Sequence, residues 1–347
     1  MNLGSSFLFN DPTLESQWRA LILFGKNTAT YKFAFAKSLL ELVEKETTKI
    51  TLKELAVPFS RNITEHLKKS DKQGSSSSSK FLNACRDFNN NRISEAQLLS
   101  ETEKLGFKYV VDAFQNVNGG QIPDLFYEKD YSRDSKKIVI KDSLLKLKES
   151  SQFQNFEKET EARWKLVETA WNLKINPNLL EVQYDQDSSL FFLENTTMRR
   201  VDITSVRDSL NGYQKGKCFY SFYDISVISG NENICHVDHF LPHVNKNLHA
   251  KNGANINGVW NLVLAHSDIN GMSEKGSKVP EERFLERLYN RNEFYIKSKH
   301  PLAETIINQT GASQEMRRVF LEKHYNLALS NSIHKWAPKE ELRNNFF

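Results

Sequence analysis

The sequence predicts an α+β protein with a mainly helical amino-terminal region and a carboxy-terminal region of mixed short strands and helices. Apolar residues recur at helical spacing in most segments before residue 173. Short apolar runs separated by turn-forming residues follow after residue 180. At 347 residues the chain is long enough for two or three domains of about 100–200 residues each.

The amino-terminal helices follow from apolar residues that lie three and four positions apart. This spacing runs through residues 15–43 with a break at Gly25, and it predicts two helices there. Further helices are predicted at residues 52–68, 80–88, 94–114 and 157–173. Residues 74–79 are one glycine followed by serines, a composition typical of an exposed flexible connector.

Residues 131–148 carry many lysines around apolar residues such as Ile138 and Leu144. One interpretation is a strand and a helix with a solvated basic face. The other is a strip that contacts nucleic acid. The sequence leaves both open, because its net charge of +4 permits a polyanionic partner without requiring one.

The carboxy-terminal region begins with two short apolar runs that predict strands at residues 180–184 and 190–193. Thr204 or Ser205 can then cap a short helix that ends near Tyr213. The element pattern therefore changes from helical to mixed in this part of the chain.

Composition and the first residues restrict where the protein is found. The opening residues lack the basic and apolar segments of a secretory signal, and no apolar run approaches the roughly 18 residues of a membrane helix. Three cysteines fit a reducing compartment. We therefore expect a cytoplasmic protein that does not associate with a membrane.

Residues that can carry chemistry concentrate between Cys235 and His266. Five of the nine histidines lie in this segment, a density that suggests a metal site. The chain reads CHVDHFLPH from Cys235 and, after a loop rich in Asn and Gly, GVWNLVLAHSDINGMSEKGSKVP from Gly258.

These residues resemble the HNH endonucleases, whose ββα-metal site has Asp-His on a first strand, Asn entering a second strand, and Asn or His on a helix. Asp238 and His239 match the first element, Asn261 the second and Asn270 the third. The segment is also similar to the HNH domain of RNA-guided CRISPR nucleases, which shares the V-D-H, N-x-V-L and S-D-x-N strings. The resemblance covers residues 217–283, less than a fifth of the chain.

The resemblance implies a role for each matched residue. His239 would be the catalytic base, and Asn261 would brace the His239 loop in the catalytic site. Asp238 and Asn270 would hold one Mg²⁺ or Mn²⁺, and Asn270 would do so from the start of a helix.

The residue types support this chemistry on their own. A neutral imidazole can deprotonate water, and hard oxygen ligands favour Mg²⁺ or Mn²⁺. Adjacent strand side chains point to opposite faces, so Asp238 and His239 would need a bend before Pro242, or a twisted strand end, to serve one site.

The resemblance also gives the domain organisation. We predict a helical regulatory or recognition domain at residues 1–176 and an HNH nuclease domain with preceding short strands at residues 177–300. Carboxy-terminal helices at residues 301–347 would pack on the nuclease domain.

Many HNH domains carry a zinc knuckle of four cysteines, and this chain departs from it. The corresponding positions are Cys218, Ser221, His266 and Ile269. Two potential ligands cannot close a tetrahedral site, so structural zinc is not expected unless Cys235 or His236 substitutes.

A second departure follows Asn270, where Gly-Met stands in place of the Arg-Gly frequent in the family. Lys275 and Lys278 are the candidate nucleic-acid-binding residues that could supply the missing positive charge, and the alternative is that both are merely solvated. We expect His243 to pack behind the turn and His249 to face solvent.

The resemblance implies a metal-dependent endonuclease that hydrolyses DNA, with double-stranded DNA as the favoured substrate and nicking by a monomer. The segments near Trp18 and at residues 290–311 are similar to bacterial HNH proteins of phage defence, which suggests companion proteins as partners. The alternatives are a regulatory subunit whose HNH fold is silent until a partner or DNA activates it, an RNA-directed nuclease, and a zinc-binding structural module.

Overall fold

A computed structural model of the protein describes residues 8, 11–24, 29–45, 47–74, 79–117, 120–131, 135–172, 182–194, 200–269, 274–297, 302–332 and 335–342. The chain divides between Lys174 and Ile175 into two compact units. Helices and small sheets occur together, which confirms the mixed α+β composition.

The first unit is mainly helical, with helices α1 (Leu14–Phe24), α2 (Tyr31–Val43), α3 (Leu52–Lys69), α4 (Lys80–Asn89), α5 (Glu95–Glu101), α6 (Val110–Ala113), α7 (Asp142–Lys148) and α8 (Phe153–Asn172). These bounds confirm the helices predicted at residues 15–43, 52–68, 80–88 and 157–173. The single helix predicted at residues 94–114 is wrong. A π-helical turn at Thr102–Gly106 interrupts it where Gly106 packs closely on Phe59. Of the connector predicted at residues 74–79, residues 75–78 lie outside the described residues. Gly74 is buried and forms a β-bridge with Ala29, and Ser79 caps α4, so the two described ends are anchored.

A small antiparallel sheet completes the first unit, in the order β1 (Lys49–Thr51), β5 (Lys136–Ile140), β4 (Tyr127–Tyr131), beside the short pair β2 (Asn116–Val117) and β3 (Gly120–Gln121). In the lysine-rich segment, Lys137 pairs with Asp130 at 3.2 Å and Lys141 pairs with Glu128 at 2.7 Å. These pairs neutralise part of the basic charge, which favours the solvated-face interpretation over a nucleic-acid strip.

Buried ionic contacts join the helices of the first unit. Arg19 on α1 donates to Glu159 on α8 at 2.8 and 2.9 Å, and both side chains are buried. His66 on α3 bonds Glu168 at 2.7 Å and Glu161 at 3.2 Å. Burial lowers the pKa of His66, but the two carboxylates outweigh burial and raise it. The helical packing therefore includes charged pairs as well as apolar contacts.

The second unit consists of short strands and helices: β6 (Gln183–Asp185), β7 (Leu190–Glu194), β8 (Arg200–Ser205), α9 (Val206–Asn211), β9 (Cys235–His239), α10 (Lys246–Lys251), β10 (Leu262–His266), β11 (Val279–Pro280), α11 (Glu282–Lys297), α12 (Ala303–Thr310), α13 (Gln314–Ser330) and β12 (Lys335–Trp336). Strands β6, β7 and β8 form one antiparallel sheet in that order.

The hairpin of β9 and β10 carries Asp238 and His239 of the HNH resemblance, and Asn261 directly precedes β10. The strands pair antiparallel, with His239 opposite Leu262 and Asp238 opposite Val263. On β10, the buried Gln214 amide bonds both the N–H and the carbonyl of Leu264, at 2.8 and 2.9 Å. The Gln214 side chain thus makes the backbone hydrogen bonds that a neighbouring strand would make, so these groups at the edge of β10 are not left unpaired.

Helix α11 fixes the loop that leads into β10. Arg291 is fully buried and donates to the carbonyls of Val259, Trp260 and Leu262, with bonds of 3.3 and 2.9 Å to the first two. The loop backbone also requires Gly258, because a Cβ there would lie 2.5 Å from the Trp260 ring. The hairpin and α11 therefore form one packed substructure.

Candidate functional site

Asp238 lies near the end of β9 and points into the protein, where only 5% of its surface is exposed. The Tyr220 hydroxyl donates to Asp238 Oδ2 at 2.6 Å. The Lys275 ammonium lies 3.1 Å from Oδ1 and 3.0 Å from Oδ2. Both carboxylate oxygens of Asp238 are thus engaged by side chains of the same unit.

Lys275 is fully buried, although it was expected to lie at the surface and bind nucleic acid. Its Nζ also donates to the backbone carbonyl of His239 at 2.8 Å. An ammonium group has three N–H donors, and Lys275 has three acceptors within hydrogen-bond distance. In this arrangement the Lys275 ammonium uses its donors on Asp238 and the His239 carbonyl, so none remains for a phosphate.

His239 follows Asp238 and is directed to different partners. Its Nε2 lies 2.9 Å from Asn257 Oδ1, and its ring centroid is 5.1 Å from that of His243 and 6.0 Å from that of Tyr184. If Nε2 carries the proton and donates to Asn257, Nδ1 is the basic nitrogen. Among the described residues, Nδ1 has no hydrogen-bond partner.

Burial lowers the pKa of His239 to about 4, and the hydrogen bond to Asn257 Oδ1 and the charge of Asp238 only partly oppose this effect. The ring is therefore neutral throughout the neutral pH range. A neutral imidazole with an available nitrogen is the form that accepts a proton.

The depressed pKa of His239 predicts how stability depends on pH. Above about 6.5, the ring is neutral in both states; as pH falls from there toward 4, only the unfolded state takes up the proton. We expect His239 to reduce the free energy of unfolding by on the order of 3 kcal/mol between these values. Urea unfolding of wild type and His239→Gln at matched pH isolates the effect, because other histidines titrate in both proteins. The prediction would be wrong if wild type and His239→Gln differed in their free energy of unfolding by the same amount at pH 7 and at pH 4.5.

Asn261 is fully buried at the entrance to β10. Its Oδ1 accepts from Leu241 N–H at 2.8 Å, and its Nδ2 donates to the carbonyls of Leu241 and Ile256 at 3.1 and 2.9 Å. The side chain therefore ties the segment that follows His239 to the segment that carries Asn257. This is the kind of contact that a bracing role requires.

Asn270 lies outside the described residues, so the structure gives no position for this predicted metal ligand. The described residues around it are turns, at residues 267–269 and 274–277, and the next helix, α11, begins at Glu282. Pro280 lies in β11, where it pairs with Trp336 of β12.

Lys278, the second predicted nucleic-acid contact, is partly buried. Its Nζ donates to the carbonyl of Glu274 at 2.5 Å. The two candidate lysines therefore differ, since Lys278 bonds the backbone of its own turn whereas Lys275 enters the interior.

The positions of the zinc knuckle come together without forming a ligand set. Cys218 Sγ lies 3.4 Å from the backbone N–H of His266, and Cys235 is paired with His266 in the hairpin. Burial raises the pKa of the Cys235 thiol to about 12, whereas zinc binds the thiolate. In place of a knuckle, the Leu342 N–H bonds the Ser221 carbonyl at 2.9 Å.

His249 is buried, and the expectation that it faces solvent is wrong. Its Nδ1 lies 2.9 Å from Nδ1 of His324 on α13, which is also buried. Burial lowers the pKa of both rings. The helix that covers His249 is 75 residues away in sequence, so no local pattern indicated this contact.

The described residues do not fit a divalent ion at Asp238. Both carboxylate oxygens are bonded to Lys275 or Tyr220, and a bound ammonium excludes a second cation from the same oxygens. In the part of the chain that the structure describes, no three His, Cys, Asp or Glu side chains are grouped to hold a metal.

Sequence reasoning missed three residues that organise this site. Tyr220 holds Asp238, Asn257 holds His239, and Arg291 supports the loop of Asn261. Only Asn257 had a local signal, since Asn-x-Asn-Gly is a turn pattern, and Asn255 Oδ1 does accept from its N–H at 3.0 Å.

No protein-family model, curated protein or solved structure matches this chain. Among the described helices, none is both long and apolar enough to cross a membrane.

Proposed function

We propose that the second unit is an endonuclease that hydrolyses phosphodiester bonds, with His239 as the general base. The observation that supports this most directly is the position of His239, whose Nε2 lies 2.9 Å from Asn257 Oδ1 while Nδ1 has no hydrogen-bond partner among the described residues. The order Asp238, His239, Asn261 on a β-hairpin is the order that the HNH resemblance requires.

The proposed step is proton transfer at His239 Nδ1. A water molecule loses a proton to Nδ1 as its oxygen forms a bond to phosphorus, and the bond from phosphorus to the 3′ oxygen breaks. The departing oxygen takes a proton from solvent, so the products carry 5′-phosphate and 3′-hydroxyl ends, as the resemblance implies. Asn261 keeps the backbone around His239 in place.

Double-stranded DNA is the proposed substrate, and defence against phage in a bacterial cytoplasm is the proposed setting. The substrate follows from the resemblance stated for residues 217–283. The setting follows from the similarity of the segments near Trp18 and at residues 290–311 to bacterial HNH proteins of phage defence. A single site cuts one strand at a time, so a monomer nicks. The Mg²⁺ or Mn²⁺ requirement belongs to the same proposal.

Conversion of supercoiled plasmid by the purified full chain tests the proposal. We expect nicked circles in Mg²⁺ or Mn²⁺ and none in excess EDTA. Equal nicking in EDTA would contradict the metal requirement, and linear product from a single binding event by a monomer would contradict nicking. If neither DNA nor a matched RNA is cleaved, the isolated chain is not the proposed nuclease.

A second candidate is a nuclease that stays silent until a partner protein or invading DNA activates it. The observation that favours it is the Lys275 ammonium, which occupies the carboxylate of Asp238. Plasmid cleavage by the chain alone and with the products of neighbouring genes separates the two, because equal rates would exclude the regulated form.

A further inference from the structure

We propose that the exposed face of helix α10, with Lys246 and Lys251, binds the phosphate backbone of double-stranded DNA and holds the duplex beside His239. The proposal rests on the proposed function, because it concerns the substrate of the same site. It assigns the phosphate contacts to a different surface from Lys275, which is buried.

The segment that joins the two strands of the hairpin carries only positive formal charge. No acidic residue lies between Asp238 and Asp268, whereas Lys246 and Lys251 both lie in this interval. Both lysines are exposed, and in the part of the chain that the structure describes neither side chain forms an ion pair or a hydrogen bond. They differ in this from Lys137 of the first unit, which pairs with a carboxylate. Their charge is therefore available to a polyanion.

The exposed positions of α10 form one face of the helix. Lys246, Asn247, Ala250 and Lys251 are exposed, and a rotation of about 100° per residue places all four within an arc of about 140°. Ammonium and carboxamide groups both donate hydrogen bonds to phosphate oxygens. The face thus presents three phosphate-binding side chains around one small residue.

Contacts with α13 fix the orientation of this face. His249 is on the buried side of α10, and its Nδ1 lies 2.9 Å from Nδ1 of His324. The exposed Lys323 of α13 donates to the carbonyl of Asn252, the residue that follows α10, at 3.1 Å. It adds a third ammonium group beside the helix. A surface that is already held in place loses little conformational entropy when it binds a partner.

The exposed face of α10 lies close to the proposed general base. His243 is in the turn directly before α10, and its ring centroid is 5.1 Å from that of His239. Burial lowers the pKa of His243, and the positive charge of Lys246 lowers it further, so Lys246 is near this ring. A phosphate bound by Lys246 would therefore belong to a backbone that passes near His239.

Acidic residues lie near Tyr184, whose ring centroid is 6.0 Å from that of His239. Burial raises the pKa of Tyr184, and the charges of Asp185 and Asp187 raise it further. These carboxylates repel phosphate, whereas α10 attracts it. The DNA backbone is thus expected on the α10 side of His239.

Fluorescence polarisation of a labelled DNA duplex with the full chain tests the proposal. Excess EDTA is present, so that binding is measured without cleavage. We expect Lys246→Gln/Lys251→Gln to bind about tenfold or more weakly than wild type in about 0.1 M salt. The slope of log affinity against log salt should become less steep by about 2, because two phosphate contacts are lost.

Two further variants show whether position and charge both matter. Lys297→Gln/Lys335→Gln removes two exposed lysines elsewhere in the second unit, and it should bind as wild type does. Lys246→Arg/Lys251→Arg keeps both charges on α10 and should also keep the affinity.

Three results would overturn the proposal. One is unchanged affinity of Lys246→Gln/Lys251→Gln, and another is an equal loss in Lys297→Gln/Lys335→Gln, which would reflect net charge alone. The third is a wild-type chain that binds no DNA duplex, even if it binds RNA.

A second measurement uses the wild-type chain, whose lysines are acylated by an amine-reactive ester and read by mass spectrometry. We expect saturating duplex to slow acylation of Lys246 and Lys251 about fivefold or more and to leave Lys297 and Lys335 unchanged. Equal acylation of Lys246 and Lys251 with and without DNA would overturn the proposal. Both measurements report binding in EDTA, so a failure of the nuclease proposal appears separately, as absence of nicking in Mg²⁺ by a chain that still binds DNA.

Discussion

Replacement of His239 by alanine is expected to lower the rate of plasmid nicking by about 10²–10⁴-fold, the usual contribution of a positioned general base. The structure supplies the reason, since the ring is neutral and held by Asn257 at 2.9 Å. Initial rates of loss of supercoiled plasmid in Mg²⁺, with wild type and variant at equal concentration, measure the effect.

His243→Ala is the matched control for this prediction. The His243 ring lies 5.1 Å from that of His239 but outside the Asp-His-Asn pattern, so its removal should change the rate by less than about threefold. If His243→Ala lowered the nicking rate as much as His239→Ala does, the assignment of the general base to His239 would be wrong. Full activity of His239→Ala would indicate a contaminating nuclease or a different base.

Replacement of Arg291 by methionine is expected to lower the free energy of unfolding by about 3–5 kcal/mol. The variant removes the charged donor that now bonds the buried carbonyls of Val259, Trp260 and Leu262, although the Trp260 carbonyl keeps Asn292 Nδ2 at 3.0 Å and the Val259 carbonyl keeps the Leu262 N–H. A hydrogen bond from a charged donor contributes about 1.5–3 kcal/mol, and methionine replaces most of the lost volume but none of the donors. Urea unfolding followed by circular dichroism measures the change.

Arg318→Met provides the comparison. Arg318 bonds both oxygens of Glu286, at 2.9 and 3.1 Å, but both side chains are about half exposed. Exposed pairs stabilise by less than about 1 kcal/mol, so this variant should unfold almost as wild type does. If both variants lost the same free energy of unfolding, burial would not explain how much Arg291 stabilises the protein.

The sequence predicted most helices of the first unit and the hairpin strands of the second, because both depend on the spacing of nearby residues. Residues 52–68 carry an amphipathic pattern, and α3 begins where Thr51 and Glu54 form a capping box. Strand β10 is an apolar run, whereas β9 was predicted from the HNH resemblance, and their pairing places His239 opposite Leu262 and Asp238 opposite Val263. The helix predicted at Asn270 stays a prediction, because Asn270 lies outside the described residues.

The sequence by itself determined that Asp238 and His239 follow one another and that Asn261 directly precedes the next apolar run, and their roles in chemistry stay a prediction. Only the tertiary structure decided their partners. Lys275 lies 37 residues from Asp238 in sequence, and nothing in its local Gly-Ser surroundings distinguishes a buried lysine from a solvated one. The reason is physical: burial and ion pairing depend on which distant segments pack together, whereas periodicity and capping depend on residues only a few positions apart.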